Sequence, residues 1–315
     1  RHRGAFGEAL QDDAPADFAL LLGRLLSAEP ADRPASASEL LEELLRIKLE
    51  LVADSDYGNG RTSSEPPKDG DEARVVAVAS AYPGAGATFA ALALSSVWEA
   101  EGIAHALVEC PGGEPELYAL LNGTKRMPKG AVYARADGKQ AASPAWRSGS
   151  AAYYPLAPDD GPVVSRVPDK DFAKWLRRLG VPLVLLDLSS RWDHPALMDW
   201  MLRTCDEIAL VADCFPAKWS SRRQDSCMEL QRQAARREIG QRWIANRDQS
   251  FPDRKSWLAL LPDAPAACLP ELPSSAVLRA MWRGEGFPRD GQSFRAAAGA
   301  LRPYALDLAA RFRRK

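Results

Sequence analysis

The sequence lacks any apolar run near the ~20 residues that a membrane-spanning helix requires, and no charged, apolar leader opens it. A cytoplasmic location is therefore expected. Charge of one sign is lacking too: Lys and Arg number 41 against 42 Asp and Glu, and a formal charge of -1 excludes polyanion binding along the whole chain. Cysteine is sparse and unpatterned. Cys110, Cys205, Cys214, Cys227 and Cys268 are odd in number and form no C-x-x-C, which excludes a disulfide framework or zinc ribbon and fits a reducing compartment. His2, His105 and His194 are too scattered for a metal-ligand set, and His194, ahead of Pro195, reads as the capped start of a helix. What the chain does have is 46% hydrophobic residues over 315 positions, enough for a core in one large domain or two ordinary ones. Arg1 stands where a Met opens a complete chain, so a longer parent protein is expected.

Apolar residues at helical spacing over 16–26, a stop at Pro30 and a second such run over 37–51 behind Ser36 or Ser38 predict two short helices. Between them stands Glu29-Pro30-Ala31-Asp32-Arg33-Pro34. This arrangement resembles the last two helices of a protein-kinase C-lobe, whose D-P-x-x-R-P-[ST] motif is matched at Arg33 and Pro34, with Glu29 for the usual Asp and Ala35 for the usual Ser. The resemblance implies that residues 1–52 are the end of a bacterial-type Ser/Thr kinase domain. In that family the arginine pairs with a glutamate near the activation segment, a partner this chain does not contain. No Gly-rich loop with a following lysine, no H-R-D and no D-F-G occurs, so the chain is not itself a working kinase. Residues 53–73, rich in Ser, Gly, Pro and acid and without periodicity, read as a flexible linker, which leaves 74–315 as the main domain.

That domain opens with Val75 to Leu94: an apolar run, a small-residue turn carrying Gly84 and Gly86, then an Ala/Leu-rich stretch. The order is strand, phosphate loop, helix, and the first helical N–H groups after such a turn face an anion. Laid on G-x-x-x-x-G-K-[ST], the sequence keeps Gly86 and Thr88 but has Ala81 at the first glycine and Ala87 at the lysine. The cradle of Gly84, Ala85, Gly86, Ala87 and Thr88 keeps N–H groups and loses its cation. A dinucleotide-binding reading would use Gly84 and Gly86 as the start of G-x-G-x-x-G and Glu109, about twenty residues on, as the ribose ligand. Phe89 holds the third glycine's place, so that reading fits less well.

Further apolar runs at 103–109, 151–156, 181–188, 207–212, 242–246 and 267–269 alternate with helical stretches such as 169–179 and 219–239. They predict an α/β fold with a mostly parallel sheet and helices on both faces. The order of landmarks over 74–315 resembles the MinD/ParA family of deviant P-loop ATPases. Ser80 to Thr88 stands where the family reads S-G-K-G-G-x-G-K-T, and Asp187 closes a strand as the Walker B aspartate does. Cys205-Asp206-Glu207 precedes the next strand as A-D-x does there, and Asn246-Arg247 stands where the family's asparagine contacts the base. Leu269-Pro270-Glu271 and Arg283-Gly284-Glu285 resemble its closing segment. The resemblance implies ATP or ADP with Mg²⁺, held weakly by residues 84–88 and Asn246, with Thr88 and Asp187 as magnesium ligands.

The departures fall on the catalytic parts. Tyr82 replaces the signature lysine that reaches across the family's dimer, Ala87 replaces the P-loop lysine, and Pro83 removes an N–H from the cradle. Pro111 stands where the family has the aspartate that orients the attacking water. Cations on a transferring phosphoryl group contribute about 10³-fold or more to rate, so no catalytic residue is expected. The chain reads as a pseudo-ATPase acting as a regulatory or protein-binding module behind the kinase. Two alternatives stay open: an ATPase whose cation has moved, for example to Arg191 or Lys218, and a localisation factor for pilus or secretion assembly. The latter resembles TadZ or CpaE, some of which read G-x-G-A-[ST] in the loop. A protein partner is expected. Nucleic acid is not, because Arg222, Arg223, Arg232, Arg236, Arg237 and Arg242 are diluted by Asp225, Glu229 and Glu238 on what reads as a solvated helix face. The C-terminal stripe Phe294, Ala298, Leu301, Ala305, Leu308 and Phe312 reads first as packing onto the sheet, with peripheral attachment to anionic lipid as a second reading.

Overall fold

The long apolar runs become strands whose two faces are both covered, which is why they alternate so little. In the computed structural model β1 (Arg74–Ser80), β5 (Leu183–Ser189) and β6 (Glu207–Asp213) are buried along almost their whole length. With β2 (His105–Glu109), β3 (Trp146–Ser148), β4 (Ala151–Tyr154), β7 (Gly240–Asp248) and β8 (Ala267–Pro270) they form an eight-stranded sheet of order β3-β4-β2-β5-β1-β6-β7-β8. Every pairing is parallel except β3 with β4. The structure describes residues 72–315 apart from 113, 114, 137, 139–144, 159–166, 191, 314 and 315. Of the first 71 it describes 21, 23–25, 27, 29, 33, 34, 36, 39, 40, 43 and 44.

Each face of the sheet has its own core. On one lie α1 (Ala87–Ala100) and α9 (Gly291–Arg313), packed on Val76, Val78, Leu107, Leu185, Val211 and Ile244. On the other lie α4 (Lys170–Arg177), α5 (Pro195–Thr204) and α6 (Ser221–Arg236), packed on Val75, Ala77, Val184, Leu186, Leu210 and Trp243. Local chemistry sets the helix starts. The Asp169 carboxylate accepts from the Asp171 and Phe172 N–H groups at 2.9 and 3.0 Å, and Phe172 and Leu176, four apart, face inward. Ser220 caps α6, which buries only Cys227, Leu230 and Ala234; Arg223 pairs with Asp193 at 2.5 Å and Arg237 with Asp199 at 3.0 Å on its polar side.

The C-terminal stripe is committed to the sheet. Leu301, Ala305 and Leu308 of α9 are fully buried, and Phe294, Ala298 and Phe312 pack at the edge of the same core. Trp98 Nε1 donates to the Ala305 carbonyl at 2.8 Å. The Tyr304 hydroxyl donates to the buried Glu207 carboxylate at 2.8 Å, and Arg311 pairs with its other oxygen at 2.6 Å. His194 departs from expectation: its side chain caps nothing, its carbonyl accepts from Leu197 and Met198, and Pro195 opens α5. Strand β3, three residues long, and the helices α2 (Leu117–Leu120), α3 (Gly123–Arg126), α7 (Arg254–Leu258) and α8 (Ser274–Trp282) were not expected.

The chain divides into two units, residues 1–62 and 63–315. In the first, Leu21, Gly23, Arg24 and Leu25 are helical, as are Glu39, Leu40, Glu43 and Leu44, and Arg24 Nη1 meets Glu43 Oε1 at 2.5 Å. Arg33 Nε donates to the Ser27 carbonyl at 2.9 Å. The rest of the predicted helices 16–26 and 37–51, and all of the linker but Glu72 and Ala73, lie outside the described residues.

Leu301→Ala is expected to cost about 2–5 kcal/mol, as large-to-small changes in a packed core do. Leu306, 38% exposed on the same helix, is expected to tolerate alanine at about 0.5 kcal/mol or less. Urea unfolding of the two variants at matched m-values checks the difference.

Candidate functional site

Strand β1 ends between β5 and β6, at the carboxyl edge of the parallel sheet where ligands of open α/β folds sit. The loop that follows is held by its neighbours. The Ala81 N–H donates to the Val211 carbonyl at 2.8 Å, Trp192 Nε1 to the Ser80 carbonyl at 2.6 Å, and Asn246 Nδ2 to the Ala85 carbonyl at 2.8 Å. Ser80 Oγ accepts from the Ala87 N–H at 3.0 Å. Gly84 and Gly86 take φ of 81° and 97°, a region open to glycine, and a Cβ at Gly86 would overlap Asn246 Nδ2. The N–H groups of Gly84, Gly86 and Thr88 have no acceptor among the described residues, so the cradle keeps free donors at the start of α1.

Thr88 and Asp187 come together as expected. The Thr88 side chain lies close enough to the Asp187 carboxyl to hold its pKa down against burial, and the Ser189 N–H donates to that carboxyl at 3.1 Å. Asp187 sits just before a bulge, because Val78 pairs with Asp187 and Ala79 with Ser189, which takes φ of 54°. A hydroxyl and a carboxylate are hard oxygen donors of the kind Mg²⁺ accepts, its other ligands being water and phosphate. Among the described residues no three His, Cys, Asp or Glu cluster as a protein-only metal site.

Ala87, in the P-loop lysine's place, is 2% exposed and brings no charge to the cradle. Tyr82, in the signature lysine's place, turns inward. Its hydroxyl accepts from the Asp213 N–H at 2.8 Å and lies 2.9 Å from both the Asp213 carbonyl and Oδ1, and burial pushes the phenol well up, so it stays neutral. The buried Asp213 then gathers two cations on its other oxygen: Lys218 Nζ at 3.1 Å and Arg247 Nη1 at 3.0 Å. Arg247 also reaches the Gly84 carbonyl at 3.3 Å, and Lys218 lies over the Tyr82 ring. Positive charge therefore borders the loop at Gly84, from Lys218, one of the two residues named for a moved cation, and from Arg247, which was not. Arg191 lies outside the described residues.

Glu109 does not serve as a ribose ligand. Its Oε1 accepts from the Glu116 and Leu117 N–H groups at 2.6 and 3.0 Å, and Oε2 from the Leu156 N–H at 2.8 Å. Burial pushes it up to about 7, and burial likewise pushes Asp187, its register partner on β5, up to about 6. On the other side of the loop, Gly86, Phe89, Asn246, Arg247, Pro270 and Leu272 line part of a cleft of about 350 Å³. Asn246 is buried, and its Oδ1 has no partner among the described residues. Sequence reasoning named Asn246 but missed Asp213, whose signal is an acid closing a buried strand, as Glu109 and Asp187 do. A larger cleft of about 1040 Å³ at the amino ends of β1, β6 and β7 holds Arg74, Arg177, Arg237 and Arg311, each paired with an acid.

No family model matches the chain, and no curated protein does. Solved structures do. The MinC:MinD cell division protein complex of Aquifex aeolicus is 14% identical, with 76% of this chain and 96% of that one covered at a TM-score of 0.56. MinD of Pyrococcus horikoshii complexed with Mg-ADP is 16% identical over 75% and 96%, at 0.56. A putative plasmid partition protein of Borrelia burgdorferi bound to AMPPNP is 10% identical over 75% and 100%, at 0.50. The fold is that of the MinD/ParA P-loop ATPases. At such identities the likeness is one of architecture: an eight-stranded, mostly parallel sheet flanked by helices.

Gly86→Ala is expected to lose roughly 1–3 kcal/mol, because strained φ adds to displacement of Asn246. Gly102→Ala, also at positive φ but with open space around it, isolates the strain alone at about 1 kcal/mol, and thermal melts compare the two. The raised carboxyl of Asp187 sets a sign. A group whose folded pKa exceeds its unfolded one contributes stability that is full below about pH 4 and lost as pH rises through the folded value, here about 6. Asp187→Asn should therefore gain on the parent across pH 4 to 6 by up to ~1.4 kcal/mol per pH unit, with the difference levelling off above that range. His105, pushed down to about 4 by burial, slopes the opposite way in both chains and cancels in that difference.

Proposed function

We propose that this chain is a pseudo-ATPase of MinD/ParA-like fold: a module that binds a nucleotide, does not turn it over, and signals its state to a protein partner. The buried Ala87 carries this reading, since a side chain without charge lies under the cradle where a lysine would neutralise transferring phosphate. Tyr82 supports it by committing the second lysine position to an internal contact with Asp213. Binding is supported by the free N–H groups of the loop, by Asn246 with its unpartnered oxygen beside the 350 Å³ cleft, and by the Thr88 and Asp187 pair. Thr88 and Asp187 would hold Mg²⁺, which when bound screens phosphate charge. Among the solved neighbours one holds Mg-ADP and another AMPPNP, and a third is a complex with a protein partner. Attachment behind a Ser/Thr kinase rests on Arg33 and Pro34 and their flanking helical residues.

Lys218 and Arg247 favour a second reading, an ATPase whose cation has moved to the outer edge of the loop. Phosphate release from Mg-ATP by the full chain separates the two. The expected rate is the background rate, with Ala87→Lys as the comparison. Sustained turnover by the parent chain would sink the pseudo-ATPase and leave the moved-cation enzyme standing.

A further inference from the structure

Asp213 holds one cation more than it needs. Its Oδ1 meets the Tyr82 hydroxyl and accepts from the Phe215 N–H at 3.1 Å, and its Oδ2 receives both Lys218 and Arg247. One cation suffices to neutralise a buried carboxylate, so Asp213, Lys218 and Arg247 together sum to about +1 beside the loop, with Glu271 the one acid on the lining of the adjoining cleft. Neither cation is saturated. The Lys218 and Arg247 side chains are 35% and 40% exposed, and each uses part of its donor set on Asp213: an ammonium has three N–H groups and a guanidinium five. Both are placed against the loop, Arg247 on the Gly84 carbonyl and Lys218 so near that a Cβ at Gly84 would lie 3.7 Å from its Nζ. Arg247 is also held at φ 52°, a conformation that costs a non-glycine residue energy and persists where surroundings over-determine it. It lines the cleft that contains the unpartnered Asn246 oxygen.

We propose that Lys218 and Arg247, organised by Asp213 and Tyr82, form an anion clamp at the outer rim of the loop that takes the terminal phosphates of a nucleoside di- or triphosphate. The clamp rests on the nucleotide-binding reading above. The body of the ligand occupies the cleft at Asn246, and its charged end runs over Gly84 toward the two cations instead of settling over Ala87. Phosphate number would then be read at the rim, by a lysine from the turn after β6 and an arginine from the end of β7.

Titration of the full chain with adenosine, ADP and ATP, at low and at high salt, tests the clamp. ATP is expected to bind roughly tenfold or more tighter than adenosine at low salt, as charge-assisted contacts of this kind provide, and the ratio should shrink at high salt. Lys218→Gln and Arg247→Gln should each collapse the ratio of ATP to adenosine affinity, and Lys218→Arg should restore it. Because Asp213 keeps one cation in each single variant, folding can be verified by thermal melts, and the salt series needs no variant. An undiminished ratio in both Gln variants, or equal affinity for ATP and adenosine in the parent, overturns the clamp and leaves nucleotide binding intact. Failure of all three ligands to bind overturns the nucleotide reading and the clamp with it.

Discussion

Tyr82 sets its hydroxyl against the backbone N–H, the carbonyl and the carboxylate of Asp213, and the phosphate loop takes its shape from that contact. The contact spans 131 positions of sequence, joining the first turn of the loop to the last residue of β6. Its hydrogen bonds are neutral or charge-assisted and fully shielded from water, which makes them strong and makes their loss costly. Trp219 packs edge-on against the Tyr82 ring at 5.4 Å and Trp243 behind it, so the phenol has no second place to go. A lysine here would have had to emerge into solvent. A tyrosine closes the loop onto the sheet.

Closure has a consequence for charge. Asp213 lies at the bottom of the contact and is wholly buried, and a carboxylate in that position requires compensation. It draws in Lys218 from the short 3-10 turn Pro216–Lys218 and Arg247 from the strained end of β7. Both cations thereby arrive at Gly84. The same tyrosine that closes the loop onto the sheet thus places a pair of cations beside it, through ordinary electrostatics of a buried acid.

Much of this architecture is legible in the sequence because buried parallel strands carry a plain signature. An apolar run such as Leu183 to Leu188, covered on both faces, is hard to mistake, and Thr88 with Asp187 follows once β5 is placed beside β1. What was not legible has physical reasons. Strand β3 is only Trp146–Ser148, too short for a period, and it exists by pairing with β4. Helix α8 exposes Leu278 and Trp282 and buries only Ala280 fully, so its pattern does not point inward. The Tyr82 contact, and the arrival of Lys218 and Arg247 at Gly84, join residues more than a hundred positions apart, which no local pattern encodes. Asp213 was findable, as the acid that ends a buried strand.

The acids at the strand ends are nearly all committed to partners of their own. Glu109, Asp187, Asp213 and Asp248 stand at or near the ends of β2, β5, β6 and β7, along one edge of the sheet. Asp248 is taken by Arg254 through two bonds of 2.6 and 2.7 Å, and Asp213 by Tyr82, Lys218 and Arg247. Glu109 is taken by three backbone N–H groups, and burial still raises it to about 7 against them. A general base must be free to meet a water molecule beside the phosphate. Of the four acids Asp187 alone stands beside a loop hydroxyl, Thr88, and a carboxylate with a hydroxyl next to it is a pair of hard oxygen donors of the kind a divalent cation takes.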